Sequence, residues 1–249
     1  MNKAAATLEA KYRRSRQWNI VLAVVAVFLG VVVTAQLLPD QSPTTAAPGG
    51  EEAPTAQDQG DGEAVELDFV RRDADDPMSL GDVDAPVVMT EWVDMRCPFC
   101  ALYSRDTLPI LIEEYVDTGK VRLEFHDVVF YGDDSERAAI AARAAGKQDK
   151  YVEYITAVYD VAPEGGHPDM PREDLIDFAE EAGVPDMDQF IEDLDDPEIL
   201  EEVQASSQSA QQLGVNAVPF FVAGNTALSG AQPVDVFRDF LDEAIEEAE

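Results

Sequence analysis

The sequence predicts an α/β fold, and three observations indicate this class. Apolar runs of strand length alternate with longer stretches of helical periodicity, as in domains whose helices cover a sheet. Of the 249 residues, 46% are hydrophobic and 27% are charged, which is typical of a folded chain rather than a disordered one. No internal repeat of about 20 to 50 residues is visible, as in a single domain without repeats.

Residues 18–38 have the composition of a membrane-spanning helix. These 21 residues carry no formal charge, and a helix of that length is about 31 Å long, which matches the hydrocarbon core of a bilayer. Residues 1–17 carry five basic side chains and one acidic one, so the positive-inside rule places them in the cytoplasm and the rest of the chain outside. A cleaved signal peptide with a small-residue site at 33–35 is the alternative, although its apolar region normally spans only about 7 to 15 residues.

Residues 39–63 predict a flexible linker. Pro, Gly, Ser, Thr and Ala dominate this stretch without an apolar period, so it cannot bury enough surface to offset its chain entropy. Residues 64–249 have the size of one domain. We therefore interpret the chain as a signal-anchor and a linker that hold one folded domain at the outer face of a membrane.

Four strand-like runs and five helical patterns lie within residues 64–249. The runs are rich in β-branched and aromatic residues, and they span residues 65–70, 87–93, 121–129 and 220–228. The helical patterns all lie within residues 133–213 and follow one another without a strand, which predicts a helical insertion in a sheet domain. Gly224 and Asn225 predict a two-residue hairpin turn within the last run.

Acidic residues dominate the charge balance. The chain has 17 Lys and Arg against 51 Asp and Glu, a formal net charge of −34. Such a surface repels phosphate backbones and acidic lipids, which excludes nucleic-acid binding as the main function. Beyond residues 1–17 the only lysines are Lys120, Lys147 and Lys150. We expect a solvated acidic shell that is adapted to saline or alkaline surroundings and is stabilised by salt.

The only cysteines, Cys97 and Cys100, are spaced as Cys-Pro-Phe-Cys at the junction of the apolar run 87–93 and a helical pattern. Two thiols exclude a disulfide-dense scaffold and a four-thiolate metal or iron–sulfur site within one chain. The two histidines, His126 and His167, add few further metal ligands. The pair therefore indicates redox chemistry, with an inert disulfide and a metal half-site completed by another chain as the alternatives.

The two thiols are predicted to have different roles. Pro98 suits the first turn of a helix, which places Cys97 at its N-cap. There the helix dipole and free N–H groups stabilise a thiolate, and Arg96 is expected to add positive charge. We expect Cys97 to be an exposed nucleophile with a lowered pKa. A pKa lowered from about 8.5 to about 4, as in the most oxidising proteins with this motif, would correspond to a stabilisation of roughly 6 kcal/mol. Cys100, one turn further on, is expected to be buried and to act as the resolving thiol.

Residues 65–248 resemble the DsbA-like branch of the thioredoxin superfamily, especially the membrane-anchored thiol-disulfide oxidoreductases of Gram-positive bacteria. Three features carry the resemblance: the Cys-Pro-Phe-Cys motif after a strand, the Thr-Leu-Pro kink at Pro109, and GVNAVPFFVAG at residues 214–224. The helical block at residues 133–213 is similar to the insertion of this branch. The resemblance implies a thioredoxin fold with a helical insertion.

The resemblance also implies roles for residues outside the motif. Val218-Pro219 corresponds to a cis-proline loop that packs beside Cys97 and offers backbone groups to an extended substrate. Without the resemblance, a trans proline at a strand entry is expected there. Glu91 corresponds to a buried acid that assists proton transfer at Cys100. An exposed edge-strand carboxylate is the alternative reading of Glu91.

Other positions complete or depart from the family's pattern. Phe99 lies between the cysteines, beside Pro98, where the family tunes its redox potential. Residues 121–129 contain no lysine that could pair with Glu91, and His126 is expected to be exposed. Three nearby aromatic residues are expected to belong to the core instead of the site: Tyr103, Phe130 and Tyr131.

The resemblance implies a dithiol oxidase that introduces disulfides into exported proteins without an external cofactor. Its reduced thiols then require reoxidation by a quinone-linked membrane partner, either DsbB-like or vitamin-K-epoxide-reductase-like. The valine before Pro219 is typical of the oxidising members. Two alternatives stay open: an outward-facing reductase or isomerase, for example in cytochrome c maturation, and a non-enzymatic module that binds metal through its thiols.

Overall fold

Five strands form a single mixed sheet in the computed structural model, which describes residues 68–248. In chain order the strands are β1 (Ser79–Leu80), β2 (Val87–Val93), β3 (Val121–Asp127), β4 (Phe220–Ala223) and β5 (Thr226–Ser229). Their order across the sheet is β1-β3-β2-β4-β5. Strands β2 and β3 are parallel, and the other neighbouring pairs are antiparallel. The predicted α/β class is confirmed.

Eight α-helices lie within the described residues. They are α1 (Pro98–Asp106), α2 (Leu108–Leu111), α3 (Asp133–Gly146), α4 (Tyr151–Asp160), α5 (Arg172–Ala182), α6 (Met187–Asp193), α7 (Pro197–Gln212) and α8 (Val234–Ala248). A π-helical turn, Ile112–Val116, continues α2. Helices α3 to α7 lie between β3 and β4, which confirms the predicted helical insertion.

Strand β2 lies at the centre of the sheet and leads into the cysteine motif. All seven of its residues are buried, and β3 pairs with one of its edges and β4 with the other. A strand that is covered on both faces needs a continuous apolar run rather than alternation, and the valine-rich sequence of β2 largely supplies it. Because β2 and β3 are parallel, the segments that follow them leave the sheet at the same edge.

The Thr-Leu-Pro segment interrupts the helical path that starts at the cysteine motif. Helix α1 ends at Asp106, and Thr107 has backbone angles of φ −115° and ψ −49° before α2 begins at Leu108. Pro109 has no N–H group to donate to the preceding turn. The predicted kink is therefore confirmed.

The prediction of a strand at residues 65–70 is wrong for residues 68–70, the part that the structure describes. These residues form a turn followed by irregular backbone. The N–H groups of Arg71 and Arg72 donate to the Glu124 carboxylate, at 2.8 and 2.9 Å, instead of joining a ladder. One buried carboxylate thus satisfies the backbone just after the predicted strand. Strand β1 was missed because its two residues are too few to show a period.

Strands β4 and β5 form the predicted hairpin. Ala223 pairs with Thr226, which leaves Gly224 and Asn225 as the two-residue turn. Gly224 adopts φ 55°, a left-handed conformation that glycine accepts without steric strain. The position of this turn is therefore confirmed.

The predicted membrane segment at residues 18–38 and the predicted linker at residues 39–63 lie outside the described residues. Within residues 68–248, no helix combines the length and the apolar character needed to cross a membrane. The assignment of both segments stays a prediction from the sequence.

Added salt is expected to raise the melting temperature of the domain. Helices α5 and α8 expose clusters of acidic side chains, including Glu173, Asp174, Glu243 and Glu246. Their mutual repulsion extends over about 30 Å at about 0.01 M salt but only about 3 Å at about 1 M. Thermal unfolding at these two concentrations of KCl measures the effect. A melting temperature that is equal or lower in molar KCl would contradict the expected self-repulsion.

Candidate active site

Cys97 and Cys100 lie where β2 leads into helix α1, and both are free thiols. Cys97 is the N-cap residue, with backbone angles of φ −78° and ψ 119°, and a proline follows it in the first turn. The carbonyl of Cys97 accepts a hydrogen bond from the N–H of Ala101 at 3.1 Å. The motif therefore adopts the predicted geometry, with the first sulfur at a helix N-terminus and the second one turn inside.

The surroundings of Cys97 lower the pKa of its thiol from 9.0 to about 6. The largest contribution comes from the side chain of Cys100. Smaller contributions come from the backbone N–H groups of Cys100 and Phe99 and from the Tyr131 side chain, whereas burial opposes ionisation. Cys97 is therefore mostly a thiolate at neutral pH, which confirms the predicted direction.

The predicted exposure of Cys97 is wrong. The side chain is buried, with 1% of its surface accessible, and the Val218 carbonyl lies 3.4 Å from the sulfur. Burial limits the lowering of the Cys97 pKa to about 6. At pH 7, a pKa of about 6 stabilises the reduced form by about 1.4 kcal/mol.

Arg96 does not act on the thiolate as predicted. Its guanidinium donates to the carbonyl oxygens of Tyr131, His167 and Pro168. None of the main contributions to the pKa of Cys97 comes from Arg96. Arg96 instead joins the segment before the first cysteine to two loops. One lies between β3 and α3, and the other lies between α4 and α5.

Cys100 is fully buried, with 0% of its surface accessible. Burial, together with the neighbouring sulfur of Cys97, raises the pKa of the Cys100 thiol well above 9.0. Cys97 therefore ionises first, while Cys100 keeps its proton. This asymmetry suits a nucleophile and leaving group at Cys97 and a resolving thiol at Cys100.

Glu91 is buried at the centre of the sheet, with 2% of its surface accessible, and pairs in register with Phe125 on β3 and Phe221 on β4. The alternative of an exposed edge-strand carboxylate is therefore wrong. Burial raises the pKa of Glu91 well above 4.5, and its Oε2 atom has no hydrogen-bond partner among residues 68–248. A charge on Glu91 raises the pKa of Cys100, so the two groups interact electrostatically.

His126 does not approach Glu91. It pairs in register with Trp92, the next residue of β2, and so lies on the opposite face of the sheet from Glu91. Its ring packs on Trp92 at 5.4 Å between centroids, and its Nε2 atom lies 3.0 Å from Arg71 Nη1. The side chain is half-buried rather than exposed as expected, and burial lowers its pKa to about 3.

The Val218-Pro219 peptide bond is cis, as the resemblance implied. The Pro219 carbonyl accepts a hydrogen bond from the N–H of Gly230 at 2.8 Å, which joins the loop to the end of β5. The neighbouring Val218 carbonyl faces the Cys97 sulfur at 3.4 Å. The loop therefore packs beside the first cysteine, and its role in substrate binding stays a prediction.

Phe99 and Leu102 present apolar surface next to the motif. Their side chains are 60% and 39% exposed. Exposed apolar side chains that lie together are typical of surfaces that dock another molecule. The predicted tuning of the redox potential by Phe99 and Pro98 stays a prediction.

The three nearby aromatic residues behave as predicted. Tyr103 is buried, with its ring 4.7 Å from that of Phe221 and 5.0 Å from that of Phe237. Phe130 and Tyr131 both pack against the core. The Tyr131 side chain also makes a small contribution to the lowered pKa of Cys97.

Asp94 is a further site residue that the sequence reasoning missed. Its buried carboxylate accepts hydrogen bonds from the N–H of Arg96 at 2.9 Å, the N–H of Phe130 at 2.8 Å and the hydroxyl of Ser135 at 2.8 Å. It thus joins the segment before Cys97 to the loop after β3 and to helix α3. The signal in the sequence that could have identified Asp94 is its position: it is a carboxylate at the end of a buried strand, shortly before a reactive cysteine.

Replacement of Asp94 by alanine is expected to lower the free energy of unfolding by about 2–4 kcal/mol, because buried donors lose their acceptor. Asp94→Asn keeps one carbonyl oxygen as an acceptor and is expected to lose less stability. Urea unfolding of the reduced protein measures both changes. Equal stability of the wild type and Asp94→Ala would argue against this role of the carboxylate.

Metal ligands do not cluster in the described structure. Within residues 68–248, no group of three or more His, Cys, Asp or Glu side chains is arranged to hold a metal ion. The absence of an external cofactor stays a prediction.

Comparison with known proteins identifies relatives with the same architecture. A family model described as Thioredoxin matches residues 73–243. The Bacillus cereus protein named "Probable disulfide bond formation protein D" is 39% identical over 155 residues, which cover 60% of this chain and 71% of that protein. Disulfide bond formation protein D of Bacillus subtilis is 23% identical over 168 residues, covering 67% of this chain and 76% of that one.

Solved structures show the same fold. Oxidised BdbD from Bacillus subtilis superposes with a TM-score of 0.63 at 23% identity, covering 68% of this chain and 92% of that one. A thioredoxin-like oxidoreductase from Silicibacter pomeroyi gives a TM-score of 0.58 at 28% identity, covering 70% of this chain and 94% of that one. The match over residues 73–243 shows that the chain belongs to the thioredoxin family, and its curated relatives identify it as a protein-disulfide oxidoreductase.

Proposed function

We propose that the protein is an extracytoplasmic dithiol oxidase that introduces disulfides into exported proteins. The observation that carries this proposal is the opposite shift of the two thiol pKa values, lowered to about 6 at Cys97 and raised at Cys100. A disulfide whose reduced form is stabilised as a thiolate readily passes its oxidation to another dithiol. The names of the Bacillus relatives, which are disulfide bond formation proteins, support the oxidising direction of the exchange.

The first step is attack on the disulfide between Cys97 and Cys100. A substrate thiolate bonds to the Cys97 sulfur, while the bond to Cys100 breaks and its electron pair leaves with the Cys100 sulfur. That sulfur takes up a proton, because its burial disfavours the thiolate. Glu91 is the proposed proton donor, because burial raises its pKa and keeps it protonated further toward neutral pH than an exposed glutamate.

The second step completes the transfer. A second substrate thiolate attacks the substrate sulfur of the mixed disulfide, and Cys97 leaves as a thiolate stabilised by the neighbouring groups described above. The substrate dithiol is oxidised and the enzyme disulfide is reduced, so no further reagent is consumed. The Val218-Pro219 loop is proposed to bind the extended substrate backbone, which its position beside Cys97 supports.

Each cycle leaves the enzyme thiols reduced, so a membrane partner must reoxidise them. We infer a quinone-linked partner that is DsbB-like or vitamin-K-epoxide-reductase-like. Residues 18–38 are proposed to anchor the chain as a single span, with residues 1–17 in the cytoplasm and residues 39–63 as the tether. The uncharged composition of the span and its basic flank support this topology.

The reduction potential of the thiol pair tests the proposed direction. The purified protein is equilibrated in glutathione buffers, and the fractions of dithiol and disulfide are measured after acid quenching. A potential near about −120 mV is expected for an oxidase. A potential near about −270 mV, as in thioredoxin, would identify an outward-facing reductase and contradict the proposal.

A further inference from the structure

Tyr159 lies near the end of helix α4, within the helical insertion, and its side chain is buried. Its hydroxyl donates a hydrogen bond to the backbone carbonyl of Asp94 at 3.1 Å. Asp94 directly follows strand β2, in the short segment that leads into Cys97. The hydroxyl thus joins the helical insertion to the backbone just before the reactive cysteine.

The Asp94 carbonyl also accepts a hydrogen bond from the N–H of Cys97, at 3.0 Å. A bond from an N–H group to the carbonyl three residues earlier closes a four-residue turn. This turn leads to the N-cap position of α1, where the side chain of Cys97 makes no capping hydrogen bond of its own. The position of the Cys97 backbone therefore depends on the turn and on the groups that hold it.

Tyr159 also contacts the other end of α1. Its backbone carbonyl accepts a hydrogen bond from the guanidinium of Arg105, in the last turn of that helix. The same guanidinium donates to the carbonyl of Ala162, just after α4, at 3.2 Å. One residue of the helical insertion therefore holds both ends of the helix that carries the two cysteines.

The hydroxyl of Tyr159 is the donor in its bond to Asp94, because a carbonyl oxygen can only accept. Burial raises the pKa of Tyr159 well above 10.0. The phenol therefore keeps its proton over the pH range in which Cys97 ionises. The bond is buried, so its loss leaves the carbonyl of Asp94 without a replacement donor from bulk water.

We propose that Tyr159 is a positioning residue for thiol–disulfide exchange, whose hydroxyl holds the turn that places the Cys97 sulfur at the N-terminus of α1. The inference deepens the function proposed above and rests on it only for Cys97 as the reacting thiol, not for the direction of the exchange. Tyr159 transfers no proton or electron and acts through the Asp94 carbonyl. The free N–H groups of the first helical turn stabilise a thiolate only while they point at the sulfur, so a looser turn makes Cys97 a poorer leaving group.

The test compares the pKa of Cys97 in the reduced wild type and in Tyr159→Phe, followed by the ultraviolet absorbance of the thiolate. Phenylalanine keeps the buried ring, and the Asp94 carbonyl keeps its bond from the N–H of Cys97, so the variant is expected to fold. The pKa is expected to rise by about half a unit, within the effect of one lost hydrogen bond. At pH 7 this rise destabilises the reduced form about threefold, which makes the reduction potential about 14 mV more negative. Equilibration in glutathione measures that shift.

Tyr154→Phe is the matched control. Tyr154 is buried on the same helix, and its hydroxyl also donates to a backbone carbonyl, that of Leu175 on α5, at 3.2 Å. Both variants are expected to lose about 1 kcal/mol of unfolding free energy, the usual effect of one hydrogen bond, which urea unfolding measures. Only Tyr159→Phe is expected to change the Cys97 pKa and the reduction potential.

Three results would overturn the role of Tyr159. They are an unchanged Cys97 pKa in Tyr159→Phe, a lowered one, and equal shifts in Tyr159→Phe and Tyr154→Phe, which would indicate a general effect on the fold. A pKa raised in Tyr159→Phe alone supports the role, even if the wild-type potential is that of a reductase. In that case, only the direction of electron flow proposed above is wrong.

Discussion

The Cys100→Ala variant is expected to accumulate in cells as mixed disulfides between Cys97 and substrate proteins. Without the second thiol, the enzyme cannot resolve a disulfide that joins Cys97 to a partner with one reactive thiol. Cells expressing the variant are quenched in acid, free thiols are alkylated, and extracts are separated without reductant. We expect slowly migrating species that contain the enzyme and collapse to its monomer after reduction.

Cys97→Ala provides the matched control for this trap. Its remaining thiol, Cys100, has 0% of its surface accessible and a raised pKa, so it is expected to capture almost no substrate. Substrates identified from the trap are expected to be exported proteins with cysteines. Equal trapping by the two variants would show that the thiols are not differentiated, and the assigned roles would be wrong.

Replacement of Glu91 by glutamine is expected to slow the resolving step by about 100-fold, the lower end of what a positioned acid–base group contributes. The Cys100 thiol must lose a proton before it attacks the mixed disulfide at Cys97. Its burial keeps water away, and Glu91 is the buried carboxylate that interacts with it. The release of glutathione from a Cys97–glutathione mixed disulfide measures the rate.

Glu113→Gln is the control, because Glu113 is an exposed carboxylate of the π-helical turn and its loss is expected to leave the rate unchanged. An unchanged rate in Glu91→Gln would show that another group accepts the proton.

The Glu91 carboxylate is expected to destabilise the fold as the pH rises. Burial raises the folded-state pKa of Glu91 above the ordinary 4.5. The stability of the wild type relative to Glu91→Gln is therefore greatest below about pH 4.5 and falls as the pH rises toward the folded-state pKa. Urea unfolding of both proteins at several pH values measures this difference, and a difference that is constant with pH would contradict the burial of an unpaired acid.

The parts of the fold that depend on local pattern were predictable. The apolar run of β2, the helical periods of α3 to α7 and the turn at Gly224 and Asn225 each follow from residues that are adjacent in sequence. The predicted strand at residues 65–70 failed for a tertiary reason. A carboxylate on β3, Glu124, satisfies the backbone of Arg71 and Arg72 just after that run, and a short sequence window contains no trace of it.

In the active site, too, some features follow from the local sequence and others depend on distant residues. The positions of Cys97 and Cys100 follow from the motif and the preceding strand, whereas the burial of Cys97 depends on the Val218 carbonyl, 121 residues away. Arg96 stands next to the thiolate in sequence, yet distant carbonyl groups bind its guanidinium. Sequence proximity was therefore a poor guide to which groups surround the sulfur.

The measurement that tests this account most directly is the ionisation of Cys97 in the reduced wild-type protein. The ultraviolet absorbance of the thiolate is followed from acid to alkaline pH, with the oxidised protein and Cys97→Ser as references. The structure predicts a midpoint of about 6, well below the ordinary 9.0. A midpoint near 9.0 would show that the helix terminus and its hydrogen bonds do not stabilise the thiolate, which contradicts the basis of the proposed chemistry.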